Sequence, residues 1–469
     1  MNNKFNYYIS PSLDNNFYNW IIEFIIETIG LVPVNQKSID EKTNLIYGET
    51  YENEKSELIN IPHHSSDLIE ESILNYQADK NILNEFDIIT AIGKFLIDEV
   101  NENKKADCYD IHNRLNSLDS FQREINYQDQ PIVNLYINFL EKIFKQLFSF
   151  EYTSLLPNGK KSVIILSHDV DDPMKYAILN SYKLYPKNLS FKNCILYHLE
   201  GLKKATKRFI KKDEQEFWLF NDVMNSESKY GFKSTFFFAA RNRFDKHANF
   251  KHDVPYDISN QEFLSLFKEM KQRGFEIGLH ASYLAKNKSE ILKEEVEKLE
   301  KLTNAKPLGN RHHFWQIGPK PEKTLQSHTE AGLLYDSSLA FNDAPGYRRS
   351  VALPYFIFDK ERNIKVENLQ IPTFMMDSNF MLNPEFEQHE AFNHAKHYID
   401  QFHKIGGVAA IDWHVRTSSV KSNRFKKWGE VYLKILEHLS NKQGIWVTNF
   451  ETFYNWTKER KNALYKTSL

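Results

Sequence analysis

The segment Ser162–Leu166 is a largely apolar run that ends abruptly in the polar sequence Ser167–Asp172. An apolar run of this length is typical of a buried strand, and reactive side chains at the C-terminal end of such a strand are typical of an active site. Carboxylates this close together repel one another unless a cation or a proton separates them. The pattern therefore predicts a divalent metal ion, and the alternative is an acidic turn before Pro173.

Further strand-like runs follow, and most of them also end in reactive side chains. These runs are Lys233–Phe238, Phe275–Leu279 before His280, Pro307–Asn310 before Arg311 and His313, Leu333–Tyr335 before Asp336, and Val408–Ile411 before Asp412 and His414. Amphipathic helical patterns lie between the runs, at roughly 261–273, 287–303, 322–333, 386–405 and 423–440. Alternating strands and helices with reactive residues at the strand ends predict a parallel (β/α) barrel.

With these motifs, residues from about 160 to 469 resemble the polysaccharide deacetylase superfamily, also called NodB-homology or carbohydrate esterase family 4-like proteins. The resemblance is to a branch with a His-Asp-Val-Asp first motif and an N-terminal accessory domain. It implies an α/β fold, a distorted (β/α) barrel preceded by a smaller α+β domain, and metal-dependent removal of an N-acetyl group. In the first motif it implies that Asp169 is the general base and Asp171 a metal ligand, with Asp172 as the alternative ligand.

The second motif departs from the family pattern of two histidines separated by three residues. The chain has His280-Ala281-Ser282-Tyr283-Leu284, and a leucine cannot bind a metal. Either the site is defective or another residue supplies the third ligand, and His313 is our candidate. One carboxylate and two imidazoles suit Zn²⁺, and Fe, Co or Ni are alternatives.

The remaining motifs of the resemblance imply the acid, the orienting residues and part of the substrate site. Arg311 is expected to pair with the catalytic carboxylate, and Asp336 to orient the catalytic histidine, although a turn or N-cap role is the alternative for Asp336. His414 is expected to protonate the leaving amine.

Three further residues are candidates for substrate binding. Trp413 and Tyr283 offer flat faces to a sugar ring. Arg348, after Gly346-Tyr347, offers a charge to an anionic group, and a solvated turn is the alternative.

Composition limits the setting in which the protein works. The chain has 469 residues, a formal charge of −2, and two cysteines, Cys108 and Cys194. This charge gives no general attraction to nucleic acid, and two distant cysteines give no disulfide framework. We also expect no export signal, no transmembrane segment and a cytoplasmic location. A basic insertion, with lysine and arginine pairs from Lys203 to Lys212, suggests peripheral contact with a membrane or a diphosphate carrier, and a solvated helix face is the alternative.

Two domains are predicted, an accessory domain at 1–155 and a deacetylase-like barrel at 156–469. The expected substrate is an N-acetylated sugar, nucleotide-linked or lipid-linked, in polysaccharide or glycoconjugate biosynthesis. The alternatives are a catalytically impaired carbohydrate-binding or scaffold protein, motivated by Leu284, and a hydrolase of another linear or cyclic amide.

Overall fold

A computed structural model describes residues 3–13, 15–49, 57–64, 68–173, 199, 217–318, 320–382, 390–422 and 424–466. The basic insertion and Cys194 lie outside these ranges. Within them, no helix is long and apolar enough to cross a membrane.

The N-terminal region contains a small sheet in which every pairing is parallel. Its strands are β1 (Lys4–Ile9), β2 (Val32–Gln36), β3 (Leu45–Tyr47) and β4 (Ile59–Ile61), in the order β2-β1-β3-β4. The helices of this region are α1 (Asn15–Ile29), α2 (Glu71–Leu74), α3 (Ile88–Leu96), α4 (Phe121–Glu124) and α5 (Ile132–Leu147). Alternate residues of β1 are buried, as expected for a strand with one face on a core.

The rest of the described chain is built around a ten-stranded sheet. Its strands are β5 (Ser162–Val170), β6 (Thr235–Phe238), β7 (Glu276–Leu279), β8 (Gly309–Asn310), β9 (Tyr335–Asp336), β10 (Tyr355–Asp359), β11 (Ile364–Gln370), β12 (Thr373–Met376), β13 (Gly407–Asp412) and β14 (Ile445–Thr448). The order is β10-β11-β9-β8-β7-β6-β5-β13-β12, and β14 also pairs with β5. Only the β10–β11 pair is antiparallel among these described strands.

The two ends of this sheet are joined by a very short connection. Only Ile371 and Pro372 separate β11, which pairs with β9, from β12, which pairs with β13. The backbone N–H of Ile371 donates to Asp336 O (3.0 Å), and Ala410 N donates to Pro372 O (2.8 Å). The sheet therefore curls into a distorted barrel, which confirms the predicted α/β class and barrel architecture.

Helices cover the outside of the barrel and occupy most of the positions that the helical patterns predicted. They are α6 (Phe220–Ser228), α7 (Gln261–Gln272), α8 (Ser289–Thr303), α9 (Pro321–Glu330), α10 (Asp377–Leu382), α11 (Ala391–Ile405), α12 (Lys426–Ser440) and α13 (Phe450–Lys466). Since strand β5 is buried along its whole length, its apolar run needs no alternation with polar residues.

The N-terminal region packs directly on the barrel. Trp20 Nε1 in α1 donates to Phe356 O in β10 (2.8 Å), and the ring of Phe17 lies 5.5 Å from that of Phe358. Asn134 in α5 donates to the carbonyls of Ala352 (3.0 Å) and Gly406 (2.8 Å). A predicted boundary at residue 155 stays a prediction, but the two regions share one hydrophobic cluster.

Candidate metal centre

The site lies where the C-terminal ends of neighbouring parallel strands meet. Asp169 is the last residue but one of β5, and Asp171 lies one residue beyond the end of that strand. His280 follows β7, and Arg311 and His313 follow β8. His414 lies two residues beyond β13. Residues far apart in sequence are thereby brought to one end of the barrel.

The carboxylate of Asp171 lies at the centre of three imidazoles. Its Oδ1 is 3.3 Å from His280 Nε2 and 3.4 Å from His313 Nε2. Its Oδ2 is 3.1 Å from His414 Nε2 and 3.6 Å from Arg416 Nη1. Asp171, His280 and His313 form a group whose potential ligand atoms lie within 4.8 Å of one another. Asp172 is not in that group.

Two of the atoms that face one another in this group make no hydrogen bond within the described part of the chain. His280 Nδ1 lies 2.7 Å from Arg311 O, which fixes the ring and leaves Nε2 free to point at Asp171. Both His280 Nε2 and Asp171 Oδ1 are buried without a hydrogen-bond partner among the described residues. A buried polar atom without a partner is costly, and a divalent cation would satisfy both atoms at once.

The pKa values of the group fit the same interpretation. Burial favours the neutral acid, but the imidazoles of His313 and His414 outweigh it and hold the pKa of Asp171 well below its usual range. Burial also disfavours a charged imidazole, but Asp169 and Asp171 raise the pKa of His280. The carboxylate thus attracts positive charge, which a metal ion can supply in place of protons. The donor set of one carboxylate and two imidazoles fits a divalent transition metal.

Arg311 is fully buried and holds two carboxylates. Its Nη1 donates to Asp169 Oδ1 (3.2 Å) and to Ser167 Oγ (2.8 Å), and lies 3.1 Å from Asp412 Oδ1. The guanidinium also lies over the ring of Phe237, 4.8 Å from its centroid. Burial and the neighbouring Asp169 raise the pKa of Asp412, against the charge of Arg311. The arginine therefore fixes Asp169 and compensates part of a buried acidic pair.

The partner of His414 is Asp377, the first residue of α10 directly after β12. Asp377 Oδ1 lies 2.8 Å from His414 Nδ1, and Oδ2 accepts from His414 N (3.2 Å) and from the hydroxyl of Thr417. Burial would lower the pKa of His414, but Asp377 and Asp171 raise it well above its ordinary value, against Arg416. His414 is thereby oriented with Nε2 toward Asp171 and favours its protonated form.

The expectation that Asp336 orients the catalytic histidine is corrected by this geometry. Asp336 Oδ2 accepts from Asn310 Nδ2 (3.1 Å) and Ser338 Oγ (2.8 Å), and lies 3.6 Å from His328 Nδ1. Burial raises the pKa of Asp336. At the end of β9 it acts as a local acceptor for the loop that follows, as the turn alternative proposed.

Two of the three expected substrate-binding residues also lie elsewhere. Trp413 is fully buried, and its ring stacks on Tyr432, 5.7 Å between centroids, on the helix side of the sheet. Arg348 pairs with Asp98 of the N-terminal region, at 2.6 Å. Tyr283 does lie at the barrel mouth: its N–H donates to Asp253 Oδ1 (2.8 Å), and the same oxygen lies 4.0 Å from His313 Nδ1.

Sequence reasoning gave no role to Asp377, Arg416 or Asp253. Asp377 follows the apolar strand β12, so the same strand-end signal that pointed to Asp169 was available for it. Arg416 lies in the single 3-10 turn Val415–Thr417 and Asp253 in a loop, and segments this short have no periodicity to indicate which way a side chain points.

No protein-family model and no curated protein matches the chain. Among solved structures, a Mycobacterium smegmatis protein described as a polysaccharide deacetylase is 14% identical, with a TM-score of 0.44, covering 67% of this chain and 96% of its own. A Pseudomonas aeruginosa protein with the same description is 14% identical, with a TM-score of 0.43, covering 65% and 93%. The 4-alpha-glucanotransferase of Thermococcus litoralis is 12% identical, with a TM-score of 0.37, covering 63% and 40%.

Two of these three structures carry the name of the enzyme family that the motifs resemble. The third catalyses a different reaction according to its name, so likeness at this level does not fix an activity. With TM-scores below 0.5, the chemistry of this chain has to be argued from its own residues.

Proposed function

We propose that the protein is a metal-dependent hydrolase that removes the N-acetyl group of an amino sugar. The observation that carries the proposal is the pair of unsatisfied buried atoms, His280 Nε2 and Asp171 Oδ1, facing each other 3.3 Å apart beside His313. Structural ion pairs rarely leave such atoms without partners. Asp171, His280 and His313 would hold the ion, with zinc as the expected metal and iron, cobalt or nickel as alternatives.

Each neighbouring residue has a role in this reaction. When bound, a divalent ion polarises a carbonyl group and acidifies water. Asp169, held by Arg311, is placed to accept the proton of the attacking water at its free carboxylate oxygen. His414, held by Asp377, is placed to donate a proton from Nε2 to the leaving amine. Amide hydrolysis requires both a base and an acid, and Asp169 and His414 have ligand atoms within 4.8 Å of each other, with His414 Nε2 3.1 Å from Asp171.

The proposed substrate class follows from the resemblance of the motifs at Asp169, His280, Arg311 and His414. We propose an N-acetylated sugar of polysaccharide or glycoconjugate biosynthesis, nucleotide-linked or lipid-linked, and a cytoplasmic location. Tyr283 is the one expected sugar-binding residue that lies at the mouth of the barrel. The non-catalytic alternative was motivated by Leu284, which cannot bind a metal. His313 Nε2 lies 3.4 Å from Asp171 Oδ1 and can take the place of the missing ligand, which weakens that alternative.

The test measures metal content and then acetate release from a panel of N-acetylated sugars. Asp169→Asn preserves shape and removes the proton acceptor, so activity should be lost while bound metal stays constant. His280→Ala should instead lose the metal. Asp336→Asn is the matched control, a buried strand-end acid whose partners lie away from His414, and it should stay active.

An inert protein that binds an amino sugar tightly with its metal in place would favour the scaffold alternative. Loss of activity in Asp336→Asn equal to that in Asp169→Asn would contradict the assigned roles.

A further inference from the structure

The backbone after His313 adopts a conformation that its residues disfavour. Phe314 has φ 58° and Trp315 has φ 49°, both in the left-handed region. Bulky aromatic residues rarely adopt it, and such a residue costs on the order of 1–3 kcal/mol. Two in succession, directly after a candidate metal ligand, persist only where the surroundings hold them.

A residue of the N-terminal region holds this turn. Arg114 Nη1 donates to the backbone carbonyl of Phe314 (3.0 Å) and to Asn342 Oδ1 (2.7 Å). The other side of the same guanidinium is fixed, because Nε donates to Asp110 Oδ2 (2.8 Å). Arg114 thus makes a charged hydrogen bond to the carbonyl of the residue directly after His313.

A second residue of the N-terminal region packs on the same turn. The ring of His112 lies 4.6 Å from that of Phe314, and His112 Nδ1 lies 2.9 Å from Tyr283 Oη. Tyr283 in turn donates its N–H to Asp253, whose Oδ1 faces His313 Nδ1. His112 therefore reaches the His313 side of the site both through Phe314 and through Tyr283.

The segment that carries these residues is itself rigid. Asp110 Oδ1 accepts the backbone N–H groups of His112 (2.8 Å) and Arg114 (3.0 Å), and Tyr109 and Leu115 form an antiparallel bridge. The segment is also anchored on the barrel, since the N–H of Ser117 donates to the carboxylate of Asp343 (3.0 Å). A segment held by internal hydrogen bonds and anchored on the barrel at Ser117 can hold a strained turn.

We propose that Arg114 and His112 are positioning residues for the metal, and that they act through His313. This inference rests on the metal site of the proposed function but not on its substrate. Because Leu284 cannot supply a ligand, the third one comes from the end of β8, where the left-handed turn sets its direction. The N-terminal region supplies the contacts that keep this turn in place. It is thereby a structural part of the metal centre.

The test is a Co²⁺ titration of the full chain, followed by the visible absorption of the bound ion, with no substrate present. His313→Ala sets the loss of affinity expected when that ligand is removed. Arg114→Ala should lower Co²⁺ affinity about 10- to 100-fold, as loss of a supporting contact typically does. In the His313→Ala background, Arg114→Ala should have no further effect. Arg348→Ala is the matched control, because Arg348 lies at the same interface and pairs with Asp98.

Variants that keep the fold separate positioning from general destabilisation. Arg114→Lys keeps the charge but loses the planar fork that bonds Phe314 O and Asp110 at once, and it should recover part of the affinity. His112→Phe keeps the ring and loses the contact with Tyr283, and should lower the affinity less than Arg114→Ala. Thermal unfolding of each variant checks that it is folded.

The inference is overturned if Arg114→Ala binds Co²⁺ like the wild type, if it lowers affinity equally in both backgrounds, or if the wild type binds no Co²⁺. A protein that shows the expected metal pattern but releases no acetate would refute the proposed function and leave this inference standing.

Discussion

The buried pairing of Arg311 with two carboxylates predicts a large and specific effect of replacing it by methionine. Arg311 has no exposed surface, and its Nη1 lies 3.2 Å from Asp169 Oδ1 and 3.1 Å from Asp412 Oδ1. Arg311→Met keeps an unbranched side chain in the barrel and removes the charge. Two buried acids are then left side by side without a cation.

The magnitude follows from these distances. Two unit charges about 4 Å apart attract by about 4 kcal/mol at an effective dielectric constant of about 20. Much of this is offset by the cost of burying the guanidinium, and breaking such a pair from one side typically costs about 3–5 kcal/mol. A typical domain has only about 5–15 kcal/mol of total stability. The variant should therefore unfold at a much lower urea concentration than the wild type, as measured by tryptophan fluorescence.

A double-mutant cycle with Asp412→Asn tests whether the cost comes from the acidic pair. In that background Arg311→Met leaves one uncompensated carboxylate instead of two, so its cost should fall by about 1–3 kcal/mol. The raised pKa of Asp412 means that the folded state binds its proton more tightly than the unfolded state. The stability this contributes is present below the ordinary pKa near 4 and is lost as pH rises through the raised pKa. Asp412→Asn should therefore gain stability, relative to wild type, from pH 5 to pH 8.

Arg349→Met is the matched control for this cycle. Arg349 is also buried, and its Nη1 donates to the backbone carbonyl of Leu96. Its effect should be the same with and without Asp412→Asn. If Arg311→Met does not fold, Arg311→Lys keeps a charge and gives a smaller cost in the same cycle. Equal costs of the Arg311 variant in both backgrounds would refute the electrostatic explanation.

Three further predictions concern the partner of the acid, a buried glutamate and a crowded glycine. Asp377→Asn removes the negative partner of His414, so deacetylation should slow about 10²- to 10⁴-fold at constant metal content, and an unchanged rate would contradict the assignment. Burial raises the pKa of Glu276 to about 7, so the free energy of unfolding should fall by on the order of 3 kcal/mol between pH 4.5 and pH 7. Thermal unfolding of Glu276→Gln should show no such fall over the same pH range. Gly309→Ala places a Cβ 2.0 Å from the ring of Tyr335 and should lower the free energy of unfolding, measured with urea, by about 1–3 kcal/mol.

The meeting of the main site residues could be predicted from sequence because parallel strands carry their C-terminal ends to one edge. Asp169, His280, Arg311 and His414 each follow an apolar run, and the structure brings them together. His313 was inferred from the resemblance and from the leucine at 284. No structural contact was needed for either step.

The errors have two different physical origins. Trp413 lies between Asp412 and His414, so the alternation of a strand already places it on the opposite side of the sheet, and this could have been anticipated. Arg348 pairs with Asp98, some 250 positions earlier in the chain. A contact between the N-terminal region and the barrel leaves no periodic pattern in the sequence of either region.

Asp377 was given no role because the sequence does not show which strand lies next to β12. β12 pairs with β13 only after the chain has passed from β11, which pairs with β9, through Ile371 and Pro372. The register of that crossing decides that Asp377, and not Asp336, faces His414 Nδ1. A one-residue change in register would turn the side chain to the other face.

The energies at residues 313–315 explain why the N-terminal region and the metal centre belong together. Two left-handed aromatic residues cost about 2–6 kcal/mol in total. The charged hydrogen bond from Arg114 to Phe314 O returns about 1.5–3 kcal/mol, and the ring of His112 on Phe314 about 0.5–1.5 kcal/mol. The cost of the two left-handed residues and the stabilisation by Arg114 and His112 are nearly equal, so the turn should relax when these contacts are removed. A relaxed turn would move His313 while the barrel strands stay paired, and loss of metal would therefore precede loss of fold.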